Sequence, residues 1–302
     1  MQEPQTQIPE AISEGVAELV APVERQVELL QGQIHELHSE IDQLRRRDET
    51  LKFYMHRLDE ELRLAARLQQ DFLPKTLPQV GRVHFHTLFR PAGYVSGDLY
   101  DVMRLDERHV GVFMADAVGH GMPAALLTMF IKRALVTKEI GAGAYRLLRP
   151  GEAMARLNDS LVEQDLSQAT FATAVYGTVN TETLELTFAR GGHPSPLLLG
   201  KDGELRSVEA EGSLLGIFPG EQYGDASVKL SAGDRVFIYT DGLEIAFSRD
   251  QTADVRQWRE EIQRRAGMGT AEMLKDLGEH LDRETGSLLP KDDLTMIVVE
   301  VK

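Results

Sequence analysis

Residues 110–127 read VGVFMADAVGHGMPAALL. An apolar run that suits a buried strand (110–115) stops at Asp116, and a loop with Gly119 and Gly121 follows. Pro123 then opens an apolar helix expected to continue to Glu139. A carboxylate stranded at the end of a buried strand, beside glycine, recurs on both sides of this stretch. SGDLYD carries Asp98 and Asp101, YTDG carries Asp241, and KDDLT carries Asp292 and Asp293. Singly, each is ordinary turn chemistry, and Asp202-Gly203 is read as a turn alone. Together they mean more. Carboxylates gathered at strand ends repel unless cations compensate them, and such hard oxygen ligands select magnesium, manganese or calcium. With no thiolate and no HExxH pair, zinc is a poor candidate.

Around these aspartates the chain alternates between periods 2 and 3.6. Strands are expected at 84–91, 99–105, 110–115, 171–179, 184–190, 196–199, 205–209, 235–239 and 294–301, and helices at 123–139, 152–165, 253–265 and 270–283. Strand runs interrupted by paired helices predict an α+β domain over 83–302, a sandwich of sheets with helices outside.

The first quarter obeys a different rule. Between Pro22 and Phe72 there is a single glycine, and apolar residues follow a seven-residue repeat. Val20, Val27, Ile34, Ile41, Asp48, Met55, Leu62 and Gln69 form one series; Val23, Leu30, Leu37, Leu44, Leu51, Leu58, Ala65 and Phe72 form the other. β-Branched residues at a and leucine at d, held for about seven heptads, predict a parallel two-stranded coiled coil over 22–73, hence a homodimer. Pro22 is expected in the first helical turn, after a flexible segment 1–21. Asp48 breaks the a series, and the seam weakens from leucine to alanine and glutamine at its end. His35 and His56 on this helix are read as surface residues. Pro74, Pro78 and Gly81 make 74–82 a linker.

Composition narrows the function. The chain has 302 residues, 33 Lys plus Arg against 48 Asp plus Glu, a net charge of −15 and no cysteine. That excludes disulfides, thiolate metal sites and cysteine-based phosphatases, and it argues against nucleic-acid or anionic-lipid partners. MQEPQTQIPE lacks the basic and apolar regions of a signal peptide, and no apolar run is long enough for a membrane span. A cytoplasmic protein is the expectation.

Six motifs in order, SGDLYDV, ADAVGHGMPAALL, RGGHPSPLLL, LLGIF, YTDGLEIA and KDDLTMIVVEV, resemble the SpoIIE/RsbU-like branch of the PPM metal-dependent protein phosphatases. The resemblance spans about residues 83–301. It implies a β-sandwich flanked by helices and hydrolysis of phosphoserine or phosphothreonine with two Mn2+ or Mg2+ ions. Carried over motif by motif, Asp116 would bridge both metals, Asp98 would hold one, Asp241 and Asp292 the other, and the Ala117 carbonyl would complete a coordination sphere. Asp293 and Asp101 would stand behind these ligands. Val118 occupies the place where eukaryotic members carry a histidine acid, so His120 does not inherit that role by alignment. Arg90 is the nearest counterpart of their phosphate-binding arginine, and His193 of RGGHP is expected to serve a turn. The resemblance also implies a partner-switching substrate, such as a phosphorylated anti-sigma-factor antagonist; the weakening end of the seam suggests in addition an upstream regulatory protein acting along the coil. The competing expectation is a catalytically idle scaffold that recruits partners through the coil.

Overall fold

The computed structural model describes residues 10–141, 143–165, 170–248, 255–285 and 291–302. The chain divides into two compact units, 1–61 and 62–302.

The first unit is helical. Helix α1 (Glu10–Phe72) begins inside the segment expected to be flexible, so Pro22 lies in the helix and not in its first turn. The reason is local. EAISEGVAELVA, ahead of Pro22, is rich in Ala, Glu and Leu, and a long helix on both sides tolerates the one backbone bond that proline removes. Residues 1–9 lie outside the described residues. From Val20 to Leu58 the heptad residues stand open in the single chain, with Leu37 56% and Leu44 61% exposed. Asp48, the break in the a series, pairs with Lys52 one turn on at 2.7 Å.

The second unit takes in the last turns of α1 and two five-stranded antiparallel sheets. The strands are β1 (Val83–Arg90), β2 (Asp98–Arg104), β3 (His109–Ala117), β4 (Lys138–Gly141), β5 (Ala144–Leu147), β6 (Ala172–Asn180), β7 (Glu185–Gly191), β8 (Leu197–Leu199), β9 (Leu205–Ser207), β10 (Ala226–Lys229), β11 (Arg235–Tyr239) and β12 (Leu294–Val301). One sheet runs β1-β12-β11-β8-β9 and the other β10-β7-β6-β3-β2. The helices are α2 (Met122–Ala134), α3 (Pro150–Val162), α4 (Asp241–Ala246), α5 (Val255–Arg264) and α6 (Thr270–Thr285).

Strand alternation builds the layers. In β12, Ile297, Val299 and Val301 enter the large core that contains the second sheet's Val110, Val112 and Val175. Met296 and Val298 point the other way, into a second core with Trp258, Ile262, Met273 and Leu277 of α5 and α6. β11 divides likewise, Val236 and Ile238 to one core, Phe237 and Tyr239 to the other. A strand covered on both faces is apolar at nearly every position, which is why the run VFIY of β11 reads as buried. Each such fully buried side chain contributes about 1.5–3 kcal/mol by leaving water. Residues of α2 and α3, among them Leu127, Ile131, Met154 and Leu157, join the large core. The sandwich of sheets flanked by helices is therefore the fold of the second unit.

The structure shortens the helix expected at 123–139. α2 stops at Ala134, and Lys138–Gly141 instead pairs with Ala144–Leu147 as a hairpin. Thr137 and Ile140 favour extended backbone, Gly143 adopts φ +80° at the turn, and Arg146 and Arg156 bind Glu139. Strand β10 and helix α4 fall outside the expected elements. No described helix is long and apolar enough to cross a membrane.

Candidate active site

The aspartates expected to act together lie at one end of the sandwich and come from both sheets. β2 and β3 pair antiparallel with Asp98 directly opposite Asp116. Asp241 follows the last residues of β11 and opens α4, while Asp292 and Asp293 immediately precede β12. Since β11 and β12 are neighbours in the other sheet, closing the sandwich is what brings the two pairs near each other.

Asp98 is the most deeply held. It is fully buried, and its Oδ2 accepts from Thr240 Oγ1 at 2.8 Å and Thr295 Oγ1 at 2.5 Å. Thr240 also receives the Thr295 N–H at 3.1 Å, so Thr240 and Thr295 are both committed to this carboxylate. Burial pushes the Asp98 carboxyl well above its ordinary range, the Asp116 charge adds to the shift, and the two hydroxyls oppose it. Burial also pushes Asp116 up, to about 8, with Asp241, Asp292 and Asp293 each adding repulsion. Asp292 is raised by burial too, opposed by the Asp293 N–H and His120.

Asp293 spends its carboxylate on the backbone. Oδ1 accepts from Ala92 N–H and Oδ2 from Gly97 N–H, each at 2.6 Å, and its own N–H donates to Asp292 Oδ1 at 2.9 Å. It therefore fastens loop 91–97 to the start of β12. Gly97 in turn accepts the Ala117 N–H at 3.0 Å, and a Cβ on Gly97 would stand 3.3 Å from the Ala117 carbonyl. A side chain at Gly97 would crowd this close approach of the segments that carry Asp98 and Asp116. Asp101 lies away from the cluster, paired with Lys132 of α2. The Arg90 guanidinium is paired with Asp282 of α6. His193 is buried between the sheets and bonded to Thr173.

A cavity of about 340 Å³ lies beside Asp292. Leu62, Tyr94 and Met122 make its apolar wall, and His120 and Lys291 line it too. Among the described residues, no three His, Asp or Glu side chains converge tightly enough to form a closed ligand set. The donor chemistry nonetheless fits hard divalent cations. The donors are carboxylate oxygens, partly or wholly buried, whose mutual repulsion a cation removes. Thr240 and Thr295 were not expected at the site, although Thr240 adjoins Asp241 and Thr295 lies two residues after Asp293. Gln69 and Ser96 were also missed, because nothing in their local sequence marks the contact between them.

The SpoIIE family model, described as stage II sporulation protein E, matches residues 106–302. Phosphoserine phosphatase RsbU of Bacillus subtilis is 28% identical over 256 residues, covering 84% of this chain and 74% of its own length. The SiaA-PP2C domain of Pseudomonas aeruginosa superposes with a TM-score of 0.69 at 22% identity, covering 82% of this chain and 98% of that domain. RsbX in complex with magnesium superposes with a TM-score of 0.54 at 20% identity, over 75% of this chain and 99% of that one. The chain belongs to the SpoIIE family and is a serine/threonine phosphatase of the SpoIIE/RsbU-like PPM type.

Proposed function

We infer that the protein hydrolyses phosphoserine or phosphothreonine in a protein substrate with two Mn2+ or Mg2+ ions. The observation that carries this reading is the meeting of Asp98 and Asp116, paired across β2 and β3, with Asp241 and Asp292 from the opposite sheet. Asp98, Asp116, Asp241, Asp292 and the Ala117 carbonyl would hold the ions, with Asp293 fixing the loop behind them. Bound there, the ions supply a water of lowered pKa and neutralise the phosphoryl oxygens. The chain's own residues do the rest. Thr240 and Thr295 hold the Asp98 carboxylate in one orientation. Asp293 sets loop 91–97 beside the cavity. His120 and Lys291 line that cavity, and Lys291 brings positive charge to an acidic surface that would otherwise repel a phosphate dianion.

The substrate in this reading is a small phosphorylated regulator of the anti-sigma-factor-antagonist kind, in the cytoplasm, with no nucleic acid involved. The names of phosphoserine phosphatase relatives support the phosphoserine chemistry, and the motif resemblance supports the regulator class. α1 acts as a parallel homodimeric coil and receives an upstream regulatory protein. Its apolar stripe, open to water in one chain, supports the dimer. The route inward is supported by the last turns of α1, where buried Gln69 bonds to Ser96, two residues before the strand that begins at Asp98.

The test is turnover of a phosphoserine protein across a Mn2+ titration, with Mn2+ binding measured by calorimetry on the same samples. Wild type should need the metal. Asp116→Asn keeps the shape, removes the charge, and should lose both binding and at least about 100-fold in kcat. Wild type that binds Mn2+ and turns nothing over would favour the idle scaffold. Undiminished activity in chelator would overturn the site.

A further inference from the structure

The RGGHP motif has no part in the chemistry above, yet its histidine joins the two halves of the site. We propose that His193 is a positioning residue, a strut between the sheets that sets the spacing of Asp116 from Asp241. The inference rests on the metal-dependent reading of that site.

The connection from β7 to β8 is where the chain leaves one sheet for the other. His193 lies in that crossing and is fully buried. Its Nδ1 is 2.8 Å from Thr173 Oγ1. Thr173 is the residue of β6 directly opposite Asp116 in the β3–β6 ladder. On the other side, Leu197 pairs with Phe237, so the segment just before β8 runs alongside the end of β11, where Thr240 and Asp241 follow. Burial and the Arg190 charge push the imidazole pKa down to about 3, while the Tyr239 backbone acts in the opposite sense as an acceptor. A neutral ring must accept at one nitrogen and donate at the other. Nδ1 meets the Thr173 hydroxyl, and Nε2 has no hydrogen-bond partner among the described residues.

The backbone around the ring is fixed. The Arg190 guanidinium donates to the His193 carbonyl and, from Nε, to the Ala210 carbonyl at 3.0 Å. Gly192 adopts φ +67°, and its N–H donates to Gly212 at 3.0 Å. A ring held this way transmits position. Thr173 and Tyr239 stand one ladder step and two residues from the two aspartates that must share cations across the gap. A ligand set contributed by two sheets is only as well spaced as the contact between them.

The experiment compares Mn2+ affinity by calorimetry, hydrogen exchange over 239–246, and melting in chelator for full-length wild type, His193→Ala, His193→Asn, Thr173→Val and Tyr176→Phe. Tyr176 lies on the same strand, buried, with a hydroxyl that has no partner among the described residues, and so controls for damage to the core. The strut predicts at least a tenfold weaker Mn2+ affinity and faster exchange at 239–246 in His193→Ala. Thr173→Val should change in the same direction by threefold or more. His193→Asn, which can still meet Thr173, should recover part of the loss, and Tyr176→Phe should bind Mn2+ like wild type. If His193→Ala does not fold, Thr173→Val decides. Wild-type affinity in Thr173→Val, or an equal loss in Tyr176→Phe, overturns the strut. A wild-type protein that binds no Mn2+ overturns the metal-dependent reading instead.

Discussion

Gln69 and Ser96 exchange two hydrogen bonds: Gln69 Nε2 donates to the Ser96 carbonyl at 2.7 Å, and the Ser96 N–H donates to Gln69 Oε1 at 2.8 Å. Both residues are buried, and the Ser96 hydroxyl accepts the Asp98 N–H at 3.0 Å. The last turn of α1 is thus two bonds away from a carboxylate of the site. The end of the heptad pattern, where leucine gives way to Ala65 and Gln69, is a docking face of the second unit rather than a weak stretch of coil. Gln69→Ala leaves a buried N–H and C=O unpaired, which costs about 1–3 kcal/mol each. We expect a lower melting temperature and an altered Mn2+ dependence of turnover, whereas substitution of exposed Gln70 should change neither.

Gly242 should tolerate no side chain. A Cβ there would lie 2.1 Å from the Asp293 carbonyl, so the loops bearing Asp241 and Asp292 meet backbone to backbone. Gly242→Ala must push them apart, at about 1–3 kcal/mol for forced overpacking. Loss of Mn2+ binding exceeding the loss of stability is the expected result; a variant matching wild type in both would show that the two loops have room to spare.

The coil is tested by charge. Leu37→Glu together with Leu44→Glu places carboxylates at seam positions, where burial of an unpaired charge is costly. Light scattering should report a dimer for wild type and a monomer for the double variant, with the metal affinity of the second unit retained. An unchanged dimeric mass would assign self-association to another surface.

The β4–β5 hairpin should loosen in acid. Arg146 hydrogen-bonds Glu152 and Glu139, and Arg156 binds Glu139 as well. The Arg146 contact holds Glu152 down to about 2, from an ordinary 4.5, and Arg156 then Arg146 lower Glu139. A depressed carboxylate pKa stabilises the folded state above the ordinary value, and that contribution fades as pH falls from about 4.5 towards about 2. These groups are exposed, so the effect is modest and weakened by salt. Hydrogen exchange at 138–147 should accelerate between pH 6 and pH 3, and Arg146→Ala should remove most of that dependence.

What could be read in advance follows from the range of the forces involved. The apolar runs of β11 and β12 need only their own residues to be recognised, and Arg235–Tyr239 and Leu294–Val301 fall where expected. The motif aspartates were legible for the same reason. Their neighbours were not. Thr240 meets Asp98 across 142 residues and Thr295 across 197, and no local pattern encodes a contact of that reach. The hairpin after α2 was misread because 134–139 is apolar enough for helix. The hairpin instead follows Thr137, Ile140 and the Gly143 turn, and Glu139 adds ion pairs to arginines on β5 and α3.

The sequence by itself determined the heptad helix, the family and the identity of the carboxylates, because periodicity, glycine placement and residue type act within a few neighbours. Only the tertiary structure decided what each carboxylate does. Asp98 and Asp116 face each other because two strands pair in register. Asp293 and Asp101, similar in sequence, part company because one finds backbone amides and the other Lys132. Register and sheet packing are settled by the whole core at once, so the role of a residue at a strand end depends on partners that its own stretch of chain does not contain.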